Sequence, residues 1–246
     1  MLTIVVPMGG EGRAFLERGY SFPKPLIEID GRPMIEYIVR NLSPAEPHEF
    51  VFVCREDHLK KYALGEVLRL VAPGCHIVSM PQPTAGALFS VLLAMDYLSP
   101  HHELLVANAD QFIDRPIDEF LFCARGPGTD GCILTFPNTH PKWSYARIEG
   151  GQVVAVAEKR PISKSATAGL YYFRETQTFI DAAERMISKN AALGGEFFVC
   201  PVYNELILAG SRITAFPVGR SEMHSLGTPE DVEQFRSGRA RELAYA

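Results

Sequence analysis

A glycine-rich loop with one fixed positive charge follows the first apolar run of the chain. Residues 5–15 read VVPMGGEGRAF. The glycine and arginine positions of this stretch are Gly9, Gly10, Gly12 and Arg13. Glycines let backbone N–H groups approach an anion closely, and an arginine adds a fork of donors for phosphate oxygens. The spacing predicts a phosphate-binding loop that is neither a P-loop nor a dinucleotide fingerprint, with a plain turn as the alternative.

A lysine between two prolines is the second candidate for phosphate chemistry. Lys24 lies between Pro23 and Pro25 in the segment SFPKPLIEIDGRPMIEY. Prolines on both sides restrict the local backbone. A backbone restricted in this way suits a cation that must be held in one position. The alternative is a solvent-facing lysine in a proline-rich loop.

A third candidate, Asp110, lies at the end of a strand-like run in the stretch LLVANADQFID. An aspartate in this position is also typical of a helix cap or a turn.

The apolar pattern predicts the scaffold that must position these residues. The strand-length runs are LTIVV, EFVFVC, CHIVSM, ELLVAN and GCILTF. The helix-length segments are RPMIEYIVRNL, EDHLKKYALGEVLRLV, GALFSVLLAMDYL and RPIDEFLFCA. In the second of these, helical spacing relates Leu59, Tyr62, Ala63, Val67 and Leu70. The alternation predicts an α/β fold, a Rossmann-like and mainly parallel sheet with helices on both faces, in which ligands bind beyond the carboxyl ends of the strands.

The pattern changes after about residue 140. YARIEGGQVVAVAE reads as a hairpin that turns at Gly150 and Gly151, and it is followed by a strand, ATAGLYYF, and two helical segments. We expect a single domain over residues 1–246, with a first part of about 1–139 and a smaller mixed β/α lobe of about 140–235. A tail over 236–246 is expected to be a loosely packed helix or a frayed end.

The composition is that of an ordinary globular protein and argues against several classes of function. The 246 residues carry a net charge of −5, which gives no general attraction to nucleic acid or to anionic membranes. No apolar stretch approaches the roughly 20 residues that a membrane helix needs, and the first residues lack the basic region of a signal peptide. The five cysteines show no zinc-site spacing. We therefore expect a cytoplasmic protein with no nucleic-acid or membrane partner, and a homodimer stays open.

The motifs, taken together and in order, resemble the sugar-phosphate nucleotidylyltransferases, also called NTP transferases or nucleotide-sugar pyrophosphorylases. The strings that carry the resemblance are VVPMGGEGRAF, FPKPLIEIDGRPMIEY, NADQF, VAEKRP, AGLYYF and LGTPEDV. They span nearly the whole chain, residues 2–235. THPKWSYARI and GGEFFVCPVYNELI resemble a branch associated with capsule or surface-polysaccharide biosynthesis, where at least one activity transfers CMP to a phosphorylated amino-acid amide. The resemblance implies transfer of NMP from an NTP to a small phosphate ester, with release of pyrophosphate.

The resemblance also implies roles for residues of the first part. The glycines of the loop would cradle the phosphates, Arg13 would hold the leaving pyrophosphate, and Lys24 would steady the α-phosphate. Asp110 would bind Mg²⁺, which prefers hard carboxylate oxygens where it bridges phosphates. Gln82 offers a donor and an acceptor to a base edge, and Gly86 would let a base or ribose approach. A loop followed by an ordinary helix start is the alternative for this last segment.

The phosphorylated acceptor is implied to bind the second lobe. The residues expected to contact it are Lys142, Tyr145, Glu158, Lys159 and Gly169. Glu158 and Lys159 would meet its hydroxyls and its phosphate, and Gly169 would permit its close approach. Trp143, the only tryptophan, is either a substrate contact or part of the packing of the lobe.

One position departs from the pattern of the family. Ser225 stands two residues before the glycine of LGTPEDV, where many relatives carry an aspartate as a second metal ligand. The site would then use one metal with phosphate and water ligands, recruit Glu196 or Glu222, or have lost catalysis.

Two other functions therefore stay open. The first is a GT-A-type glycosyltransferase, although the D-x-D motif usual for that class is missing from NADQFID. The second is a non-catalytic nucleotide-sensing homologue. Release of pyrophosphate from an NTP and a phosphate ester separates the three functions.

Overall fold

A computed structural model describes residues 1–238 of the chain. The strands of the first part are β1 (Leu2–Met8), β2 (Glu28–Ile29), β3 (Arg32–Pro33), β4 (His48–Arg55), β5 (His76–Met80), β6 (Glu103–Ala107), β7 (Gln111–Ile113) and β8 (Gly131–Pro137). Those that follow are β9 (Tyr145–Glu149), β10 (Gln152–Ala157), β11 (Ser165–Phe173), β12 (Ile213–Pro217) and β13 (Met223–Ser225).

The helices lie between these strands. They are α1 (Arg13–Leu16), α2 (Met34–Leu42), α3 (Glu56–Lys61), α4 (Leu64–Val71), α5 (Ala87–Leu92), α6 (Ile117–Ala124), α7 (Thr176–Ser188), α8 (Val202–Leu208) and α9 (Pro229–Ser237). Short 3₁₀ turns cover Lys24–Leu26, Met95–Tyr97 and Arg220–Glu222.

Nine strands form one mixed sheet. Seven of them follow the order β10-β9-β11-β6-β1-β4-β5, while β8 pairs with β11 and with β12. β1 runs parallel to β4 and β6, and β4 runs parallel to β5. β11 is antiparallel to both β6 and β8, so the mixed pairing begins there. This arrangement confirms the predicted α/β sheet.

Both faces of the sheet are covered by helices, as the sequence predicts. Successive residues of a strand point to opposite faces, and in β1 the side chains of Ile4 and Val6 enter one apolar cluster while Val5 enters the other. The first cluster contains residues of α2, α4, α6 and α9, and the second contains residues of α5, α7 and α8. Burial on both faces explains why β1 reads as a continuous apolar run.

The prediction of one continuous helix over EDHLKKYALGEVLRLV is wrong. Ala63 takes a left-handed conformation, with φ of 52°, and separates α3 from α4. The helical register restarts after it, so Leu64 and Leu68 are fully buried and Leu70 is 79% exposed. The spacing drawn across the whole segment therefore placed Leu70 on the wrong face.

The second part follows its predicted elements closely. β9 and β10 form the expected hairpin, and their turn uses Gly150 and Gly151 with φ of 56° and 79°. α9 ends at Ser237, and residues 239–246 of the predicted tail lie outside the described residues. Within residues 1–238, no helix has both the length and the apolar character needed to cross a membrane.

Candidate active site

The glycine loop joins β1 to α1 at the carboxyl end of the sheet. A side chain at Gly9 would place its Cβ 2.7 Å from the terminal methyl of Met80, so this methyl would have to move aside. Gly12 has φ of 67° and precedes α1, where its carbonyl accepts the N–H of Phe15 at 2.9 Å. Close packing and a left-handed backbone thus both call for glycine in this loop.

A cavity of about 490 Å³ opens beside the loop. Its lining includes four predicted nucleotide residues, which are Gly9, Gly10, Arg13 and Gly86. The volume falls within the range usual for small-molecule sites, about 300–1,000 Å³. Gln82 is exposed and is not among the residues that line this cavity, so its contact with a base stays a prediction.

Two arginines stand at this cavity. The Arg13 side chain is 80% exposed, and its Nε donates to Glu11 Oε2 at 2.7 Å. Arg55 ends β4 and donates to Asp57 at 3.0 Å, while its Nη1 is buried with no partner among residues 1–238. An unpartnered buried guanidinium nitrogen can take an anion. Arg55 was not predicted as a site residue, although it follows the apolar run EFVFVC in the same way as the glycine loop follows the first apolar run.

Lys24 and Asp110 lie in direct contact. Lys24 begins a 3₁₀ turn in the connection from α1 to β2, and Asp110 lies in the connection from β6 to β7. The Lys24 Nζ is 2.5 Å from Asp110 Oδ2, and their side chains are 22% and 25% exposed. Gly12 packs over the lysine, since a Cβ there would lie 3.4 Å from the Lys24 Cβ. The structure therefore brings together the glycine loop, Lys24 and Asp110.

A second cavity, of about 270 Å³, lies beyond the carboxyl end of β6 and beside the middle of β11. Its lining includes Asp110 and Ser225, the position that departs from the family pattern. It also includes three of the predicted acceptor residues, which are Lys142, Glu158 and Gly169. Asp110 thus both contacts Lys24 and lines this cavity.

Glu158 is a half-buried acid of the second cavity. Burial raises its pKa above the ordinary 4.5, while the hydrogen bond from Ser144 and the charge of Lys159 lower it. The Ser144 Oγ donates to Glu158 Oε2 at 2.5 Å. Repulsion from Glu196 also raises the pKa of Glu158. Glu196 itself lines the first cavity.

Several polar residues of the second cavity were missed. Ser144 and the hydrogen-bonded pair Thr167 and Tyr171, whose hydroxyl oxygens lie 2.9 Å apart, all line it. They sit within or beside strands whose sequence is mainly apolar, so nothing in the pattern distinguishes them from core residues.

Two predicted acceptor residues do not line either described cavity. Tyr145 is fully buried, and its hydroxyl donates to the carbonyl of His140 at 2.8 Å, so it packs the lobe. This geometry does not support the substrate contact predicted for Tyr145. The exposed Lys159 places its Nζ 4.5 Å from the ring centre of Phe198.

Trp143 belongs to the packing of the lobe, and its substrate contact stays a prediction. It is 8% exposed and packs edge-on against Phe136, with ring centres 5.1 Å apart. It also lines the second cavity, and its Nε1 is buried without a hydrogen-bond partner in the described part of the chain. A buried indole N–H without an acceptor can donate to a bound molecule.

Gly86 and Gly169 lie in close contact with other residues of the chain. A Cβ on Gly86 would lie 2.4 Å from the carbonyl oxygen of Phe197. A Cβ on Gly169 would lie 2.1 Å from Gln111 Oε1 and 2.5 Å from Asn108 Nδ2. Both glycines have positive φ, 107° and 68°. The close contacts that require glycine at these positions are therefore internal, although both residues also line a cavity.

Gly86→Ala is expected to lower the melting temperature by roughly 5–15 °C, because the new Cβ meets immobile backbone and φ is unfavourable. Differential scanning calorimetry measures the shift. Gly74→Ala is the matched control, since Gly74 also has positive φ, 82°, but a Cβ there meets no atom of residues 1–238 within 4 Å. Equal shifts in the two variants would contradict the clash with Phe197.

The two acids proposed as substitutes for a second metal ligand lie elsewhere. Glu222 accepts the N–H of Gly219 and pairs with Arg115, 3.2 Å away, and Glu196 lines the first cavity. Beside Ser225 stands another acid, Asp231, whose Oδ2 accepts from the Ser225 Oγ at 2.8 Å. Among residues 1–238, no three His, Cys, Asp or Glu side chains form a group that could hold a metal ion.

Comparison with known proteins gives a family match over most of the chain. Residues 4–180 match the family described as the MobA-like NTP transferase domain. The bifunctional protein GlmU of Alkalilimnicola ehrlichii is 27% identical over 227 residues, covering 88% of this chain and 46% of that protein. The mannose-1-phosphate guanylyltransferase catalytic subunit beta of Dictyostelium discoideum is 25% identical over 184 residues, 71% of this chain and 50% of that protein. The chain spans about half the length of these relatives.

A solved structure supports the fold. The nucleoside-diphosphate-sugar pyrophosphorylase from Vibrio cholerae RC9 superposes with a TM-score of 0.77 over 96% of this chain and 100% of that one, at 24% identity. The similarity extends through both the parallel and the mixed parts of the sheet.

Proposed function

This chain belongs to the MobA-like NTP transferase domain family, and we propose that it transfers NMP from an NTP to a small phosphate ester, with release of pyrophosphate. The observation that carries the proposal is the contact between Lys24 and Asp110, 2.5 Å apart, beside the glycine loop. The cavity beside the glycine loop and the cavity that Asp110 lines would hold the two substrates.

In the proposed reaction, an oxygen of the acceptor phosphate bonds to the α-phosphorus of the NTP. The bond from that phosphorus to the β-phosphate oxygen breaks, and pyrophosphate carries away the electron pair. Because the attacking oxygen is already an anion, the protein mainly has to bring two anions together and stabilise the charge that builds up. Lys24 suits this task, since its side chain is largely buried and its ammonium is held against Asp110.

The first cavity would bind the triphosphate. Backbone N–H groups of the glycine loop and the guanidinium of Arg55 would meet its phosphates, and Arg13 would leave Glu11 to contact the pyrophosphate. We assign residues of about 1–139 to this nucleotide side and those of about 140–235 to the acceptor side of one domain.

Asp110 fits a hard divalent cation such as Mg²⁺. Its carboxylate lines the second cavity and provides the oxygen ligands that Mg²⁺ shares with phosphates and water. Mg²⁺ held there would neutralise phosphate charge.

The second cavity favours an acceptor that brings hydrogen-bond donors. The charged residues that line it are the three acids Asp110, Glu158 and Asp231, against one cation, Lys142. Hydroxyls of a sugar phosphate or the amine of a phosphorylated amino-acid derivative would meet these acids. Together with the resemblance of THPKWSYARI to the capsule branch, this supports a precursor for a surface polysaccharide.

Pyrophosphate release tests the proposal. Four NTPs and dTTP should each be combined with a panel of sugar 1-phosphates and phosphorylated amino-acid derivatives. We expect at least one pair to release pyrophosphate in step with formation of the NMP ester. Nucleotide binding without release for every pair would favour a sensing homologue, and release of NMP or NDP from a nucleotide sugar would favour a glycosyltransferase.

Separate substitutions should separate the two substrates. Lys142→Ala should raise KM for the phosphate ester roughly tenfold and change KM for the NTP little, because Lys142 lines only the second cavity. Arg13→Ala should raise KM for the NTP and change KM for the phosphate ester little. Lys159→Ala is the comparison for Lys142, and we expect a smaller effect because its ammonium lies over Phe198. If Lys142→Ala weakens only the nucleotide, the acceptor does not bind in the second cavity.

A further inference from the structure

We infer that Asp231 supplies a second carboxylate to the metal site and that Ser225 positions it, an inference that rests on the proposed function. The evidence is a small space beside Gly227. A Cβ placed on this glycine would have three oxygens as its nearest neighbours, Ser225 Oγ at 3.4 Å and both Asp110 Oδ2 and Asp231 Oδ2 at 3.6 Å. The two acids, 121 positions apart in the sequence, thus face one space the size of a methyl group.

Backbone hydrogen bonds tie the two sides of this space together. The carbonyl of Asp110 accepts the N–H of Leu226 at 2.7 Å, and β7 pairs with β13 so that Gln111 lies opposite Ser225. The N–H of Asp231 donates to Thr228 Oγ1 at 3.2 Å, which fixes the first turn of α9. The distance between the carboxylates therefore depends on backbone structure and not only on side-chain rotamers.

Ser225 orients the second acid. Its hydroxyl donates to Asp231 Oδ2 at 2.8 Å, which leaves the other oxygen and the remaining lone pairs of the carboxylate available. Serine is a weak ligand by comparison with a carboxylate, but here it can act by holding one.

An independent observation points to a bound cation or donor in the same cavity. Gln111 is 6% exposed and lines this cavity, and its Oε1 is buried without a hydrogen-bond partner in residues 1–238. A buried acceptor left without a partner is costly. A cation with its ordered water, or a donor group of a ligand, would satisfy it.

The charges of Asp110, Asp231 and Lys24 favour the binding of a cation. Lys24 compensates one of the two negative charges of Asp110 and Asp231, and it does so at Asp110 Oδ2, one of the oxygens that face the space. Among residues 1–238, Asp231 has Ser225 and the start of α9 as its hydrogen-bond partners and no ion pair. Mg²⁺ in phosphate-transfer sites is usually held by one or two carboxylates together with substrate phosphates, so two acids are sufficient.

The alternative is that Asp231 only stabilises the start of α9. An acid in the first turn of a helix is favourable by itself. Binding of Mn²⁺, measured by the electron paramagnetic resonance signal of the free ion in the presence of a non-hydrolysable NTP analogue, separates the two roles.

We expect Asp231→Asn to weaken Mn²⁺ binding roughly 10–100-fold. Glu230→Gln is the matched control and should leave it unchanged, since Glu230 lies in the same helical turn but pairs with the exposed Arg18. Gly227→Ala should also weaken binding, because its methyl would fill the space without removing a carboxylate. The double variant Ser225→Asp, Asp231→Asn should recover much of the affinity.

Unchanged Mn²⁺ affinity in Asp231→Asn, with a weakened affinity in Asp110→Asn, would overturn the inference and leave the proposed function standing. The same result with a lowered melting temperature would assign Asp231 to helix stability alone. Pyrophosphate release by the unaltered protein tests the proposed function separately.

Discussion

Replacement of Lys24 by alanine is expected to lower kcat/KM by ~10²–10³-fold, or about 3–4 kcal/mol of transition-state stabilisation. The Lys24 side chain is 22% exposed, and it is held in place by Asp110 and by the turn that Pro23 precedes. A charge fixed in a partly dry site stabilises developing negative charge better than a mobile one in water, because little reorganisation is needed. Steady-state kinetics by pyrophosphate release, with both substrates varied, give the number.

The fold of the Lys24→Ala protein should stay intact, since no core side chain is removed. Its melting temperature should change by no more than a few degrees. Lys60→Ala is the matched control, because Lys60 is 71% exposed and pairs with Glu56 far from both cavities. Turnover near that of the unaltered protein would return Lys24 to the role of a surface charge.

The sheet could be predicted because its residues carry strong local patterns. β1 and β4 are continuous apolar runs, and two buried faces require that pattern. The hairpin of β9 and β10 was visible because two adjacent glycines with positive φ make its turn. The break at Ala63 could not be predicted, because alanine favours helix. Its left-handed backbone depends on how α3 and α4 pack.

Residues of the candidate site were predictable where they follow strands. The glycine loop follows β1 and Asp110 follows β6. The carboxyl ends of parallel strands lie at the same edge of the sheet. Arg55 obeys the same rule at β4 and could have been found by applying it to every strand.

The second cavity was harder to predict, because its lining depends on how distant segments meet. Asp231 reads in sequence only as an acid at the start of a helix, and its place beside Asp110 comes from the pairing of β7 with β13. For Tyr145, whose substrate contact stays a prediction, the local sequence pattern is misleading. An aromatic residue next to lysine and tryptophan resembles a binding residue, yet strand alternation turns its ring into the core.

Asp110→Asn is expected to lower kcat/KM by roughly 10²–10³-fold and to raise the concentration of Mg²⁺ needed for half-maximal rate. The amide keeps the size of the side chain but loses the negative charge, so it weakens a cation site and also releases Lys24 from its 2.5 Å contact.

These two effects differ in their response to metal. If Asp110 is a ligand, excess Mg²⁺ should restore part of the rate, whereas a misplaced Lys24 would not respond to it. Titration of Mg²⁺ and of Mn²⁺ at saturating substrates distinguishes them, with the exposed Asp96→Asn as the control for removal of an aspartate. A normal metal requirement in Asp110→Asn, or undiminished activity of the unaltered protein in excess EDTA, would exclude metal binding by Asp110 and leave it as the group that positions Lys24.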